Sequence, residues 1–233
     1  SGIFTHNEML YDEMSKTPEE QDRTIIDLTP DVYAETKKKE LRAVAAVYGV
    51  SDVRFMDFPE PFRLSNSPTA KEALKNVILD VRPHVLITQS PYLNGHHRLI
   101  DTKYDDHHET ALAVHEGQLM AATPRYDSTE RPHTIATTYY MGPYFEKDQF
   151  DLAIDISDWF EKRVESEAMF KSQGHTPEYA RRRMEVTVGN TGWYSGCTYA
   201  EAFVQSKPEL LTRLSVTERA MRRATEPRMT YMR

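Results

Sequence analysis

The sequence predicts an α/β fold with a mostly parallel sheet, and three observations carry that prediction. Helical and strand-like patterns alternate from residue 32 to about residue 122 in the order helix, strand, helix, strand, helix, which builds parallel layers. Val85-Leu86-Ile87 is an apolar run too short for a helix, closed off before by Pro83, and reads as a buried strand. A polar stretch rich in histidine and aspartate separates it from the next helix. Metal-binding residue types therefore stand at the carboxyl end of a strand, where open α/β sheets take their ligands.

Residues 1–30 are polar and mixed and show no sustained period. From Val32 to Tyr48, Leu41, Val44, Ala45 and Tyr48 recur at spacings of three and four; Asp31 or Thr36 is the candidate cap and Gly49 the stop. Val53 to Phe58 alternates as a strand would, ended by Pro59 and Pro61. Ala70 to Val81 is an amphipathic helix through Leu74, Val77 and Ile78, and it feeds the strand at 85–88. A polar loop follows, with Pro91, Asn94 and Gly95 as breakers, and it carries His96 and His97. Tyr104-Asp105-Asp106-His107-His108-Glu109 then opens a helix whose apolar positions are Ala111, Leu112, Val114, Leu119 and Met120.

Thr123 to Pro132 reads as a loop, His133 to Met141 as a strand and Leu152 to Ile156 as a shorter one. Asp155 or Ser157 caps a helix from about Asp158 to Gln173, stopped by Gly174 with Pro177 beyond it. Glu178 to Met184 reads as a helix with a solvated basic face, and Gly189 to Gly196 as a Gly/Asn/Thr loop. Tyr199 to Phe203 leads into the final segment, and the tail from Glu218 on, rich in Arg and Met, suits a docking arm, an arm of a homo-oligomer or a loose end.

At 233 residues the chain is most economically one domain with a substantial core. Its net charge of −7 argues against a general nucleic-acid-binding surface. The single cysteine, Cys197, allows neither an intramolecular disulfide nor a thiolate zinc cage, and points to a reducing, cytoplasmic compartment. No apolar run approaches the roughly 18 residues of a membrane span, and no signal peptide is visible. There is no Gly-rich phosphate loop, no G-x-S-x-G elbow and no H-E-x-x-H.

The chemistry with most support lies at Asp106-His107. Carboxylate and imidazole are the ligands a catalytic zinc site uses in the absence of thiolates. Acids also favour first helical turns through the helix dipole, so the pair alone is compatible with a structural role. His96, His97 and His108 raise the local density of imidazole.

Several fragments, taken in order, resemble the LmbE-like or PIG-L zinc de-N-acetylases. Lys37-Lys38-Lys39-Glu40-Leu41 through Tyr48-Gly49-Val50 is similar to that family's R-x-x-E-L…LGV helix. Val53 to Pro59 is similar to the strand that follows it, and Val81-Arg82-Pro83-His84-Val85-Leu86-Ile87-Thr88 to its RPdvVit strand. Asp106-His107 falls where H-P-D-H ends. Asp155-Ile156-Ser157, Lys171-Ser172-Gln173 and Tyr199-Ala200-Glu201-Ala202-Phe203 resemble its DIS, SQ and aEaF signatures.

The resemblance implies a Rossmann-like, three-layer α/β fold with helices on both faces of the sheet. It also implies zinc, or another divalent metal, and hydrolysis of an N-acetyl amide on a small amino-sugar substrate. His107 is then a metal ligand and Asp106 its neighbour, orienting a histidine. Tyr104 stands where the first His of H-P-D-H belongs and Asp105 where its Pro belongs, so the imidazole comes from His96 or His97, or Tyr104 contributes its hydroxyl. His6, Lys37 and Glu201 are the expected pocket residues. Phe170 stands where a His often precedes S-Q.

The family's A-H-P-D-D motif, which carries two ligands and the base, is not in these residues, and Ser1-Gly2 resembles the turn after the family's second strand. The chain is therefore expected to be one domain, 1–233, without its first strands. Two alternatives stand beside this reading: a binding or scaffold protein that kept the fold without the chemistry, and a hydrolase of a non-sugar amide.

Overall fold

The structure is a computed structural model and describes residues 7–58, 63–91, 106–126, 129–142 and 148–230. In chain order its elements are α1 (Glu8–Ser15), α2 (Arg23–Ile26), α3 (Pro30–Val47), α4 (Pro68–Val81), β1 (Val85–Gln89), α5 (Asp106–Ala122), β2 (Thr137–Met141), β3 (Leu152–Asp155), α6 (Phe160–Glu167), α7 (Pro177–Ser195), β4 (Ala200–Gln205) and α8 (Glu218–Thr225). The chain divides into two compact units, residues 1–62 with 158–185 and residues 63–157 with 186–233.

In the first unit α3 opens on Thr29, whose hydroxyl accepts from the Val32 N–H at 3.4 Å, with Pro30 pre-set for the first turn. Thr29, rather than Asp31 or Thr36, is therefore the cap; the Thr36 hydroxyl turns back to the Val32 carbonyl at 3.0 Å. The helix stops as expected, with Gly49 at φ +75°. Tyr33 is buried, and its hydroxyl donates to the Ser172 carbonyl at 3.2 Å. Burial first, and then nearby Glu40 and Glu8, push this phenol up to about 12 despite that bond.

Val53 to Phe58, expected as a strand, is not one: residues 51–58 form no ladder, and Asp57 has φ +52°. The alternation serves packing on α3 instead. Phe55 lies under the Lys38 ammonium (5.6 Å) and the Arg42 guanidinium (4.8 Å), and Lys38 reaches Asp57 at 2.5 Å.

The second unit holds a four-stranded sheet in the order β1-β2-β4-β3. β1 and β2 are parallel, from Val85↔Thr137 to Gln89↔Met141. β4 runs antiparallel to both β2 and β3, so the sheet is mixed and the expectation of a mostly parallel sheet is corrected. Alternation of sequence elements identifies α/β layering, but it does not say which strand returns beside which. Here β3 and β4 pair across the long excursion through α6 and α7.

Tyr140, Ala202 and Val204 form the packed face, with Phe150 against them. α5 lies on this face: Gln118 accepts from the Thr138 hydroxyl at 2.9 Å, and Ala121 O accepts from the His133 N–H at 2.9 Å. On the opposite face Val85, Ile87 and Ile154 are about half exposed.

α4 begins on Ser67, whose hydroxyl accepts from the Ala70 N–H at 3.1 Å, and ends at Arg82. Arg82 is left-handed at φ +50°, a conformation costly for a residue with a Cβ. It is held by two guanidinium bonds, to the Arg131 and Pro132 carbonyls at 3.0 and 2.9 Å. The expected loop Gly189–Gly196 is the end of helix α7, which runs to Ser195; Gly196, at φ +77°, is the true stop.

Candidate functional site

α5 presents the candidate site. Its C-terminal end is bonded near the start of β2, so the helix runs antiparallel to β1 and β2. Twelve residues of helix span about 18 Å, which carries Asp106 back to the carboxyl end of those strands. That is the placement expected of a crossover helix.

In that first turn His107 Nε2 lies 3.8 Å from Asp106 Oδ1, with side chains 30% and 44% exposed. This is ion-pair distance, too long for a hydrogen bond. Beside them, His108 Nδ1 is buried and has no hydrogen-bond partner among the described residues. A carboxylate, a partly open imidazole and an orphaned imidazole nitrogen are donor types that suit a divalent metal. They stand at consecutive helical positions, however, and among the described residues no three His, Cys, Asp or Glu side chains converge as a metal site requires. The donor chemistry fits; the described donor set is incomplete.

Glu109, overlooked in the sequence, fixes this turn. It is buried and accepts from the Ser65 N–H at 3.0 Å and from the Ser65 hydroxyl. The signal was available: Glu109, Ala113, Gly117 and Ala121 are all buried at a four-residue spacing, and a carboxylate on such a stripe needs partners.

Tyr104, His96, His97 and His6 lie outside the described residues. Glu201 is half-buried on β4, paired in register with Ile154 at the same end of the sheet as the start of α5. Lys37 belongs to the other unit, where its ammonium sits 4.8 Å over the Tyr33 ring.

Two motif fragments that look separate in the sequence form one clamp in the first unit. Glu40 accepts from the Ser172 N–H at 2.8 Å and from the Ser172 hydroxyl at 2.6 Å, joining the K-x-x-E-L helix to the S-Q turn. Ser172 is buried. Glu40→Ala would leave two of its donors without an acceptor, so unfolding stability should fall by about 2–4 kcal/mol. Urea denaturation checks this, as a lower midpoint at unchanged slope.

The Asp155 of the D-I-S fragment caps its own turn, accepting from the Ser157 N–H at 3.0 Å and hydroxyl at 2.6 Å, and pairs with Arg219 of α8 at 2.9 Å. Burial raises its pKa, but the Ser157 and Arg219 bonds outweigh this and hold the carboxyl below the usual aspartate range. For a depressed carboxyl the contribution is present above the unfolded value, about 3.9, and lost as pH falls through the lower folded value. The Asp155–Arg219 tie should therefore hold α8 fully at neutral pH and weaken progressively as pH falls below about 3.9. Amide exchange in α8 across an acid titration tests this, and Asp155→Asn should abolish the step.

Residues 11–117 match the model of the PIG-L family, GlcNAc-PI de-N-acetylase, so the resemblance read from the sequence fragments holds over that stretch. A search of the curated proteins finds no match. Among solved structures, the 4-carboxy-2-hydroxymuconate hydratase of Pseudomonas putida KT2440 is 20% identical, with a TM-score of 0.68 over 92% of this chain and 84% of that one. The N,N′-diacetylchitobiose deacetylase of Pyrococcus horikoshii, complexed with an inhibitor, is 17% identical, with a TM-score of 0.63 over 87% of this chain and 78% of that one. A conserved protein of Thermus thermophilus is 18% identical, with a TM-score of 0.62 over 78% of each chain. At such identities these likenesses show the fold.

Proposed function

We propose that this chain carries part of the active site of a metal-dependent hydrolase that removes an N-acetyl group from a small amino-sugar-type substrate. The observation that carries the reading is Asp106-His107 in the first turn of α5, at the carboxyl end of the parallel strands, within the stretch that matches a de-N-acetylase family. A zinc ion, or another divalent metal, held there would polarise the acetyl carbonyl and lower the pKa of a bound water.

His107 is the residue of this chain that would hold the metal. Asp106, 3.8 Å away, orients the imidazole and favours the ring placement a ligand needs. Glu109, tied to Ser65, keeps that turn from shifting. Tyr104, His96 or His97 would donate to the oxygen that becomes negative as the amide carbonyl is attacked. Glu201, at this end of the sheet, would border the pocket for the sugar.

The resemblance assigns the remaining ligands and the base to a motif that the described residues do not contain. The whole would form one Rossmann-like domain. No helix among the described residues is long and apolar enough to cross a membrane. A cytoplasmic site of action and homo-oligomeric assembly are parts of the same proposal.

The test is release of acetate from N-acetylglucosamine-type substrates, abolished by a chelator and restored by zinc. A second reading is hydration, favoured by the hydratase structure, which aligns over 92% of this chain. The same activated water would then add to a carbon–carbon double bond, and substrate would be consumed without acetate. Metal binding with neither reaction would leave a binding protein or a hydrolase of another amide.

A further inference from the structure

The stretch between β4 and α8, residues 206–217, has no helix or strand of its own, yet it is tied down at both ends. The Ser206 N–H donates to the Thr138 carbonyl at 2.9 Å, near the start of β2. At the other end of the sheet, Arg219 in the first turn of α8 bonds Asp155 at 2.9 Å and the Gly196 carbonyl. The stretch is therefore a strap anchored twice, not a loose end.

The length of β4 separates those anchors by roughly 20 Å, whereas twelve residues of extended chain reach up to about 40 Å. The strap has slack enough to turn its apolar side chains inward. It does the opposite: Leu210 and Leu214 are 96% and 97% exposed, and Leu211 and Val216 are half exposed or more. Single exposed leucines are ordinary on a protein surface, but a cluster of four apolar side chains on one short strap marks an interaction surface.

We propose that this strap is the core of an isologous interface, packing antiparallel against the same strap of a second copy of this chain. Two observations name the occupant. The first is area. The four side chains offer on the order of 500 Å² of apolar surface, and two facing copies reach the roughly 1,000 Å² that a specific interface requires. Met221 and Met229, both more than half exposed in the residues that follow, add to it.

The second observation is charge. Glu209 and Arg213 are exposed, stand two positions to either side of Leu211, and pair with no opposite charge among the described residues. With a two-fold axis at Leu211, Glu209 of one copy stands opposite Arg213 of the other, and the reverse. A parallel arrangement in register would set like charges against each other instead. The strap is thus complementary to itself in one orientation. This gives the homo-oligomeric assembly put forward above its interface; it rests on that part of the reading alone and not on the hydrolase chemistry.

The experiment is sedimentation equilibrium of the intact chain at concentrations up to about 100 μM, with circular dichroism to confirm the fold of each variant. The expected result is a dimer whose dissociation constant rises at least about a hundredfold in Leu210→Ser/Leu214→Ser. Glu209→Arg and Arg213→Glu should each weaken it about tenfold, and the double exchange Glu209→Arg/Arg213→Glu should return it to within about threefold of the unaltered chain. A dimer indifferent to the leucine variant places the interface elsewhere and overturns the proposal while the assembly stands. Single exchanges that weaken the dimer without rescue by the double exchange overturn the antiparallel pairing. A chain monomeric throughout, its leucines taken up by phosphatidylcholine vesicles or by nothing, overturns the proposal and the assembly together.

Discussion

Replacing His107 with alanine is expected to remove the bound metal and to lower amide hydrolysis at least about a thousandfold, because an activated water and a polarised carbonyl together supply several kcal/mol. Stability should change little. The imidazole is partly exposed, and its approach to Asp106 at 3.8 Å is a surface contact that contributes at most about 1 kcal/mol. Asp106→Asn should act more gently: loss of the carboxylate beside an imidazole ligand weakens metal affinity by about 10–100-fold. Metal content and acetate release, measured beside circular dichroism, separate the two effects. A His107→Ala protein with wild-type metal content would remove His107 from the site.

Gly192→Ala should produce the largest loss of stability, about 3 kcal/mol or more. A Cβ there would stand 2.7 Å from the Thr198 carbonyl carbon and 2.8 Å from the Tyr199 nitrogen, and closer still to the Thr198 oxygen. Those atoms are backbone and cannot swing away. They also lead directly into β4, which pairs with both β2 and β3, so the strain would spread into the sheet. Gly189, one turn earlier, is the control. Its Cβ would meet only the Tyr199 ring at 3.7 and 3.9 Å, an ordinary contact. Gly189→Ala should be neutral or stabilising by about 0.5–1 kcal/mol through helix propensity. The urea midpoint should therefore fall for Gly192→Ala and hold or rise for Gly189→Ala.

The same two glycines show where the sequence is ambiguous. Gly189 and Gly192 read as loop residues because glycine most often marks a turn. In α7 they remain helical, and Gly192 is needed so that one backbone can pass close to another. Val53 to Phe58 misleads for a related reason. Alternation records which side of an extended segment is sheltered, and Phe55 is sheltered by cations on α3 rather than by a neighbouring strand.

Local signals were reliable where a helix or strand is defined by its own periodicity and stop residues. α4, β1 and the body of α5 lie close to where the apolar spacing places them, and Gly49 stops α3 in a left-handed conformation; the helix expected from Asp158 to Gln173 ends at Glu167, and Gly174 closes only the short turn Lys171–Gln173. Sheet direction was not legible, because the antiparallel return of β4 is decided by pairing across more than sixty residues from β2. At the candidate site the sequence offers two adjoining donor types, Asp106 and His107, and the structure places them in the first turn of α5. The Glu109–Ser65 bond and the Glu40–Ser172 clamp join residues 44 and 132 positions apart, and periodicity holds no record of such partners.

The measurement that tests the central claim most directly is the metal content of the purified protein by mass spectrometry, compared with His107→Ala. About one divalent metal per chain, lost on substitution while the fold is retained, is the result expected of a catalytic site with His107 as ligand. A metal-free protein that still releases acetate, or a metal content indifferent to His107, would contradict it.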